Sequence, residues 1–374
     1  MAKHRKFSAD RFLDKFQDQE HLLRAYVRKF GEALSVDVDA LDVPAFKDFL
    51  VRDDSSVGKD ELVEGLYQAF DLCTDHGHEA LIAACQPWSG FDPDVDGKLP
   101  VECLSLKVLI ENEDAFDFAY ARNTLYQAQR FTIVRGKSAQ AIADPVAAAE
   151  RFREKLATIF KGDKKSDRVI VRQYTEGNRT NFVVYHERRT KAELTFAGTK
   201  ARPKVAPKVL RPAQQDFVSY DRTTGQVEIE TRFEKEEASI RGAFAECCLE
   251  DATFFDDGDA ASRIDFGRIA EPGFEPRVGP RDKAALVALN FSFPQAFDPA
   301  FEIRSKNVLA TLDKNHLRQH LTAGRIQRAT FKIVFPDDAR GKRVELSGTN
   351  SVKFNRATHA DDVFAYLTDW KVLR

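Results

Sequence analysis

The sequence lacks several features that would assign the chain to a class at once. No window of its 374 residues approaches the run of about 18 apolar residues that a transmembrane helix needs. The N-terminus also has no apolar stretch of signal-peptide length. The five cysteines are odd in number and scattered, which does not fit a disulfide framework. We therefore expect a soluble, cytoplasmic protein with reduced thiols and no contact with a membrane.

Catalytic motifs are missing as well. The G-x-S-x-G elbow of serine hydrolases does not occur. Residues 136–138 read Gly-Lys-Ser, as at the end of a P-loop, but Phe131 stands where the leading glycine should be. His316 and His320 are four residues apart, but the glutamate that zinc peptidases place after the first histidine is absent. The sequence therefore predicts no catalytic residue and no cofactor, and it favours a binding protein over an enzyme.

Hydrophobic patterning predicts an α+β fold. Apolar residues recur at three- and four-residue steps over residues 8–30, which predicts one amphipathic helix there. Helical patterns continue through most of the chain to residue 129, which indicates a helical N-terminal region. Short β-type runs joined by turn residues then predict hairpins at 169–185 and 217–230. Further patterns predict a helix over residues 307–321 and strands at 330–335, 343–346 and 352–354, and a C-terminal helix follows. We expect a helical domain over 1–130, an α+β domain with basic hairpins over 131–255, and a C-terminal α+β domain over 281–374. The Gly- and Pro-rich residues 256–280 are expected to connect the last two domains.

Charge is distributed unevenly, although the whole chain carries a net charge of only −2. Residues 161–211 hold fourteen Lys or Arg against five Asp or Glu, and residues 228–259 hold eleven acids against three bases. Between the two hairpins, residues 198–212 contain three prolines, so we expect an extended basic loop there. The basic and aromatic side chains suited to phosphate contacts and base stacking are Lys164, Lys165, Arg168, Arg172, Tyr174, Arg179, Arg188, Arg189, Lys200, Arg202, Lys204, Lys208 and Arg211.

This basic segment is open to several interpretations. Its charges could pair with the acidic segment downstream, either within one chain or between subunits of a homo-oligomer. Alternatively, they could bind nucleic acid or a protein subunit. A third hypothesis is a metal-dependent nuclease or other hydrolase that uses acids such as Asp216, Asp221, Glu228 and Glu230. A structural oligomer held by complementary charged faces is the fourth, and high salt should dissociate it.

One local pattern indicates a metal. Asp92, Asp94 and Asp96, followed by Gly97, match the first half of an EF-hand loop, in which alternate carboxylates bind calcium. The second half does not match, because Cys103 occupies the position of the bidentate acid. The alternative is an acidic loop of Asx-turns that links two helices.

The C-terminal residues carry a resemblance. Residues 331–336 read Phe-Lys-Ile-Val-Phe-Pro, residues 344–350 read Val-Glu-Leu-Ser-Gly-Thr-Asn, and a terminal helix with Tyr366, Leu367 and Trp370 follows. Together with the hairpin at 169–189, this stretch resembles bacterial proteins encoded on mobile elements and in phage-defence loci. The resemblance implies an accessory or sensor component of a bacterial multi-protein antiviral system, and it transfers no functional residue.

Overall fold

The structure is a computed structural model that describes residues 7–30, 34, 37–51, 57–86, 92–94, 97–127, 130–163, 165–199, 202–256, 263–293, 297, 299–356 and 358–374. The predicted α+β class is confirmed, with helices first, then a large antiparallel sheet, and a helix near the C-terminus. The chain divides into two compact units, one ending at Gln127 and the other continuing to Arg374. None of the helices in the described residues combines the length and apolar character required to cross a bilayer.

The regular elements of the first unit, within the described residues, are all helices. Its helices are α1 (Ala9–Leu13), α2 (Glu20–Arg28), α3 (Val43–Val51), α4 (Val57–Asp71), α5 (Asp75–Cys85), α6 (Val101–Glu111) and α7 (Glu113–Gln127). A short 3₁₀ helix, Asp14–Phe16, separates α1 from α2, so the single helix predicted over residues 8–30 is wrong. The side chain of Asn112 accepts a hydrogen bond from the Ala115 N–H, and this cap separates α6 from α7.

The second unit holds twelve strands in its described residues. They are β1 (Arg130–Arg135), β2 (Val169–Glu176), β3 (Arg179–Glu187), β4 (Lys191–Thr199), β5 (Arg202–Leu210), β6 (Ala213–Asp221), β7 (Gln226–Glu230), β8 (Lys283–Ser292), β9 (Ala300–Arg304), β10 (Arg325–Phe335), β11 (Asp338–Ser347) and β12 (Ser351–Lys353). Its helices are α8 (Pro145–Gly162), α9 (Glu234–Cys248), α10 (Phe266–Ala270), α11 (Val308–Lys314) and α12 (Ala360–Asp369). The two predicted hairpins are β2–β3 and β6–β7.

Ten of these strands form one antiparallel sheet. Its order is β2-β3-β6-β7-β1-β12-β11-β10-β8-β9. Strands from the predicted domains 131–255 and 281–374 therefore lie in the same sheet, joined where β1 pairs with β12. Residues 256–280, expected as a connection between domains, include α10 and a bridge between Ile264 and Leu373 within this unit. The predicted domains 131–255 and 281–374 thus share this sheet, and their separation into two domains stays a prediction.

The helices cover opposite faces of the two halves of the sheet. Val134 of β1 belongs to a core built with α8 and α9, whereas its neighbour Ile133 belongs to a core built with α11 and α12. Successive residues of a strand point to opposite faces. Helices α8 and α9 therefore cover one face of the first half, and α11 and α12 cover the other face of the second half. On strands β8 to β12, the face opposite α11 and α12 is therefore covered by none of these four helices.

Two predictions for individual segments are wrong. Residues 198–212 were expected as a loop, but β5 pairs with β4 along its whole length in a separate two-stranded sheet. Pro203 and Pro207 of β5 have the same parity, so both can occupy positions at which a backbone N–H would point away from β4. Proline at such positions removes no hydrogen bond between the two strands. The helix predicted over residues 307–321 ends at Lys314, because His316 adopts a left-handed backbone with φ 55°. His316 and His320 therefore do not share a helical face.

Candidate nucleic-acid interface

Three of the predicted binding residues converge on one cavity, which we call the basic pocket. Lys165, Arg188 and Arg189 line it together with a further set of side chains, and its volume is about 550 Å³. That set is Asp163, Lys191, Pro212, Phe233, Lys235 and Glu236. Lys165 also lines an adjoining, smaller cavity with Arg168 and Arg211. The structure thus brings five of the predicted residues into one neighbourhood.

Other predicted residues lie elsewhere. Arg179 donates a hydrogen bond of 2.8 Å to Glu228, which lies on the opposite face of the sheet from α8 and α9. Tyr174 pairs with Asn181 in the hairpin and is only 4% exposed, so its ring does not offer a stacking surface. Arg172 has the same parity as Tyr174 and is exposed. The predicted mixture of arginines and tyrosine therefore does not form one surface.

The remaining predicted residues belong to the β4–β5 hairpin or lie outside the residues that the structure describes. Arg202, Lys204 and Lys208 are exposed on β5. Lys164 and Lys200 fall outside the described residues.

Two ion pairs join the basic segment to the acidic one within a single chain. Lys165 Nζ lies 2.5 Å from a Glu236 carboxylate oxygen, and Arg179 lies 2.8 Å from Glu228. The interpretation that these segments pair within the monomer is therefore correct for Lys165 and Arg179. Most of the basic segment has other partners or faces solvent.

A second basic surface was not predicted from the sequence. It is an open groove of about 1100 Å³ over β8 to β12, on the face that α11 and α12 leave uncovered, and we call it the C-terminal groove. Eight cationic and three acidic side chains line it. The cations are Arg304, Lys306, Arg328, Lys332, Arg340, Lys342, Arg343 and Lys353, and the acids are Glu302, Asp338 and Glu345.

The register of the strands produces this surface. In β10, Ala329, Phe331 and Ile333 are buried in the core under α11 and α12, while Arg328 and Lys332 have the opposite parity. Arg343 pairs with Lys332 in the register, and pairing places both on the same face. The signal was present in the sequence as alternation of charged and apolar residues from 328 to 333 and from 343 to 346. This alternation predicts strands, but the exposure of their charged face follows from tertiary packing.

All three acids of the C-terminal groove are already engaged by cations. Glu302 pairs with Arg304 at 2.8 Å, Asp338 with Lys342 at 3.9 Å, and Glu345 with Arg130 of β1 at 3.5 Å. Within the described residues, the other six cations make no ion pair. They are Lys306, Arg328, Lys332, Arg340, Arg343 and Lys353. The groove therefore has positive charge that the protein itself does not neutralise.

A buried polar network lies beneath the basic pocket. His186 Nε2 is 2.8 Å from Asp216 Oδ2, and neither side chain has any exposed area. Gln214 donates hydrogen bonds of 2.7 Å to Asp216 and 2.9 Å to Glu236, whose other oxygen accepts from Lys165. The Phe160 ring stacks on the imidazole at 4.1 Å. We interpret this network as structural, because the imidazole has no access to a substrate.

Within the described residues, this network also contains the one group of three metal-ligand side chains whose ligand atoms converge. One atom from each of His186, Asp216 and Glu236 lies within 4.8 Å of the others. Lys165 already places a positive charge against Glu236. Burial alone would raise the pKa of the Glu236 carboxyl, but hydrogen bonds from the Lys165 ammonium and the Gln214 amide hold this pKa below its usual range. The positive charge that a metal would supply at Glu236 is thus provided by a lysine.

The predicted EF-hand half has the geometry of an Asx-turn loop where it is described. Asp94 Oδ1 accepts hydrogen bonds from the backbone N–H groups of Lys98 and Leu99 at 3.0 and 3.2 Å. Asp92 accepts one from the Asp94 N–H. Asp96 lies outside the described residues. Calcium binding here stays a prediction, and the hydrogen bonds fit the alternative loop.

The acids of the hydrolase hypothesis lie on both faces of the sheet. Asp216 lies on the face covered by α8 and α9, whereas Asp221, Glu228 and Glu230 share the opposite parity. Glu228 is enclosed by two arginines, and Asp221 accepts hydrogen bonds from Thr223 in the β6–β7 turn. Asp216 therefore cannot share a cation with the other three acids. A metal site at Glu228 and Glu230 stays a prediction.

Comparison with known proteins adds no assignment. No protein-family model matches the chain, and no curated protein matches it significantly.

Proposed function

We propose that this protein binds a nucleic-acid duplex along the C-terminal groove. The observation that carries the proposal is the set of six groove cations that have no carboxylate partner within the described residues. Phosphates of a nucleic acid supply the missing negative charge, and release of their condensed counterions favours binding. The six cations lie on β10, β11 and β12 and just beyond the end of β9. Neighbouring strands are about 4.8 Å apart, so these positions span roughly 20 Å across the five strands. A surface of that width contacts several phosphates at once.

The side chains of the groove favour a duplex over a single strand. Proteins that bind single strands combine a basic groove with aromatic rings on which bases stack. Among the residues that line this groove, Phe354 is the one aromatic side chain, and it is 2% exposed. Contacts would therefore be made mainly to phosphates, which position a duplex but do not read its sequence. We expect weak sequence preference.

The resemblance to proteins of mobile elements and phage-defence loci agrees with this proposal. An accessory or sensor subunit of such a system needs a surface that holds nucleic acid without catalysing a reaction. The proposed role is therefore that of a non-enzymatic binding component.

A fluorescence-anisotropy titration tests the proposal with a labelled duplex of about 20 base pairs. If roughly five phosphates are contacted, affinity should fall by about 10²–10³ between 50 and 200 mM salt. The variant R328E/R343E should bind at least about tenfold more weakly at 50 mM salt and show a shallower salt dependence. Unchanged affinity in this variant would overturn the proposal.

The control is R11E/K15E, which changes the net charge of the chain by the same amount. Arg11 and Lys15 are exposed, lie in the helical first unit, and make no ion pair within the described residues. The control should bind the duplex as the unmodified protein does. Equal loss in both variants would show that net charge, rather than the C-terminal groove, determines binding.

A further inference from the structure

The basic pocket is a separate site from the C-terminal groove, because the two share no lining residue and the pocket has about half the volume of the groove. We propose that it binds a phosphomonoester, a dianionic phosphate group carried either by a nucleic-acid strand end or by a free nucleotide. Its volume of about 550 Å³ lies within the usual range for small-molecule sites. This inference does not depend on binding in the groove.

The charges in the pocket leave two guanidinium groups available. Five cations line the cavity against two carboxylates. Lys235 Nζ pairs with Asp163 at 2.6 Å, and Lys165 Nζ pairs with Glu236 at 2.5 Å. Both acids of the pocket are thereby engaged.

Of the other three cations, Lys191 pairs with the exposed Glu193 at 2.6 Å. Arg188 and Arg189 make no ion pair within the described residues. A guanidinium group can donate two parallel hydrogen bonds to a phosphate, so two adjacent arginines match a dianionic phosphate group better than a singly charged diester.

The backbone and a neighbouring ring hold Arg188 in place. The Arg188 N–H donates a hydrogen bond of 2.8 Å to the Pro212 carbonyl, directly beyond the last pair of β3 and β6. Its guanidinium group lies over the Phe233 ring, 5.3 Å from the centroid. A cation held over an aromatic face loses less conformational freedom on binding an anion. The pocket is therefore partly organised for its ligand.

The floor of the pocket is neutral and hydrogen-bonded. Lys165 and Glu236 each have 9% of the side chain exposed, and Gln214 connects Glu236 to the buried pair of Asp216 and His186. Because Lys165 neutralises Glu236, this carboxylate does not need Arg188 or Arg189 as a partner. Phe233 at the rim is 42% exposed and provides apolar surface for the group that carries the phosphate.

Isothermal titration of the full chain with adenosine monophosphate, adenosine and inorganic phosphate tests this inference. The monophosphate should bind at least about tenfold more tightly than adenosine. The variant R188E/R189E should lose at least about tenfold in affinity for the monophosphate, while the matched variant R11E/K15E should retain it. If the double variant fails to fold, as judged by its thermal melt, the single variant R189Q should show a smaller loss in the same direction.

A second pair of probes separates the two sources of the phosphate. Duplexes that carry either a 5′-phosphate or a 5′-hydroxyl are compared by competition. A preference of about tenfold for the phosphorylated end, abolished in R188E/R189E, assigns the pocket to a strand end. Equal binding of the two ends, with retained binding of the monophosphate, assigns it to a free nucleotide. Failure to bind any of the phosphorylated probes, or equal binding by R188E/R189E, would overturn the inference.

Discussion

Arg356 donates a hydrogen bond to the carboxylate of Glu228 in the interior of the second unit. Glu228 has no exposed side-chain area, and Arg356 is 10% exposed. The carboxylate also accepts from Arg179 at 2.8 Å, and the Arg356 guanidinium lies 3.6 Å from the centroid of the Phe131 ring. Because β7 belongs to the first half of the sheet and Arg356 follows β12, this ion pair joins the two halves across β1.

Replacing Glu228 by glutamine should destabilise the fold strongly. The substitution leaves the Arg356 charge buried without a carboxylate, and removing one partner of a buried ion pair costs about 3–5 kcal/mol. The free energy of unfolding from a denaturant titration is the measurement. The control is Glu345→Gln, which removes the partly exposed pair with Arg130 and should cost less than about 1 kcal/mol. Similar losses in both variants would contradict a special role for Glu228.

Glu228 should also make stability depend on acid pH. Burial alone would raise the pKa of its carboxyl, but the guanidinium groups of Arg356 and Arg179 outweigh burial and lower the pKa to about 2. In the unfolded chain a glutamate titrates at about 4.3. A lowered pKa in the folded state stabilises the fold above pH 4.3, and this stabilisation is lost as pH falls toward 2.

The difference in unfolding free energy between the unmodified protein and Glu228→Gln isolates this contribution. It should shrink by about 2 kcal/mol between pH 7 and pH 3, because the variant has no carboxyl to titrate at that position. A difference that is constant over this range would show that the pKa of Glu228 is not lowered in the folded state.

Local chemistry in the sequence was enough to predict many elements. The β2–β3 and β6–β7 hairpins follow from their turns, where Gly177 and Gly225 adopt positive φ angles of 56° and 69°. Helix α8 begins where Asp144 precedes Pro145, and the Asp144 side chain accepts hydrogen bonds from the N–H groups of the first turn. The pairing of β1 with β12 was not predictable in this way, because it joins residues more than two hundred positions apart.

The candidate surfaces were predictable only in part for the same reason. Arg188 and Arg189 were identified from local charge, and the fold brings Lys165 beside them. The C-terminal groove depends on which sheet face lacks a helix, and this follows from tertiary packing rather than from any short segment. Arg179 belongs to the same basic segment as Arg188, but its side chain lies on the sheet face that carries Glu228 and pairs with it.

The last prediction concerns the β4–β5 hairpin. In the described residues these strands pair only with each other, and Leu194, Val205 and Val209 are 77%, 59% and 66% exposed. Replacing residues 191–210 by Asn-Gly, a two-residue turn, should therefore change the free energy of unfolding by less than about 1 kcal/mol. A loss above about 2 kcal/mol would mean that the hairpin packs on the sheet.

The same deletion separates the hairpin from the groove as a binding surface. It removes Lys200, Arg202, Lys204 and Lys208, the residues that the charge of the sequence first indicated, and it leaves β8 to β12 unchanged. If the C-terminal groove makes the main contacts, duplex affinity at 50 mM salt should fall by less than about threefold, because distant cations contribute weakly beyond the Debye length. A loss comparable to that of R328E/R343E would instead assign the nucleic-acid contact to the hairpin.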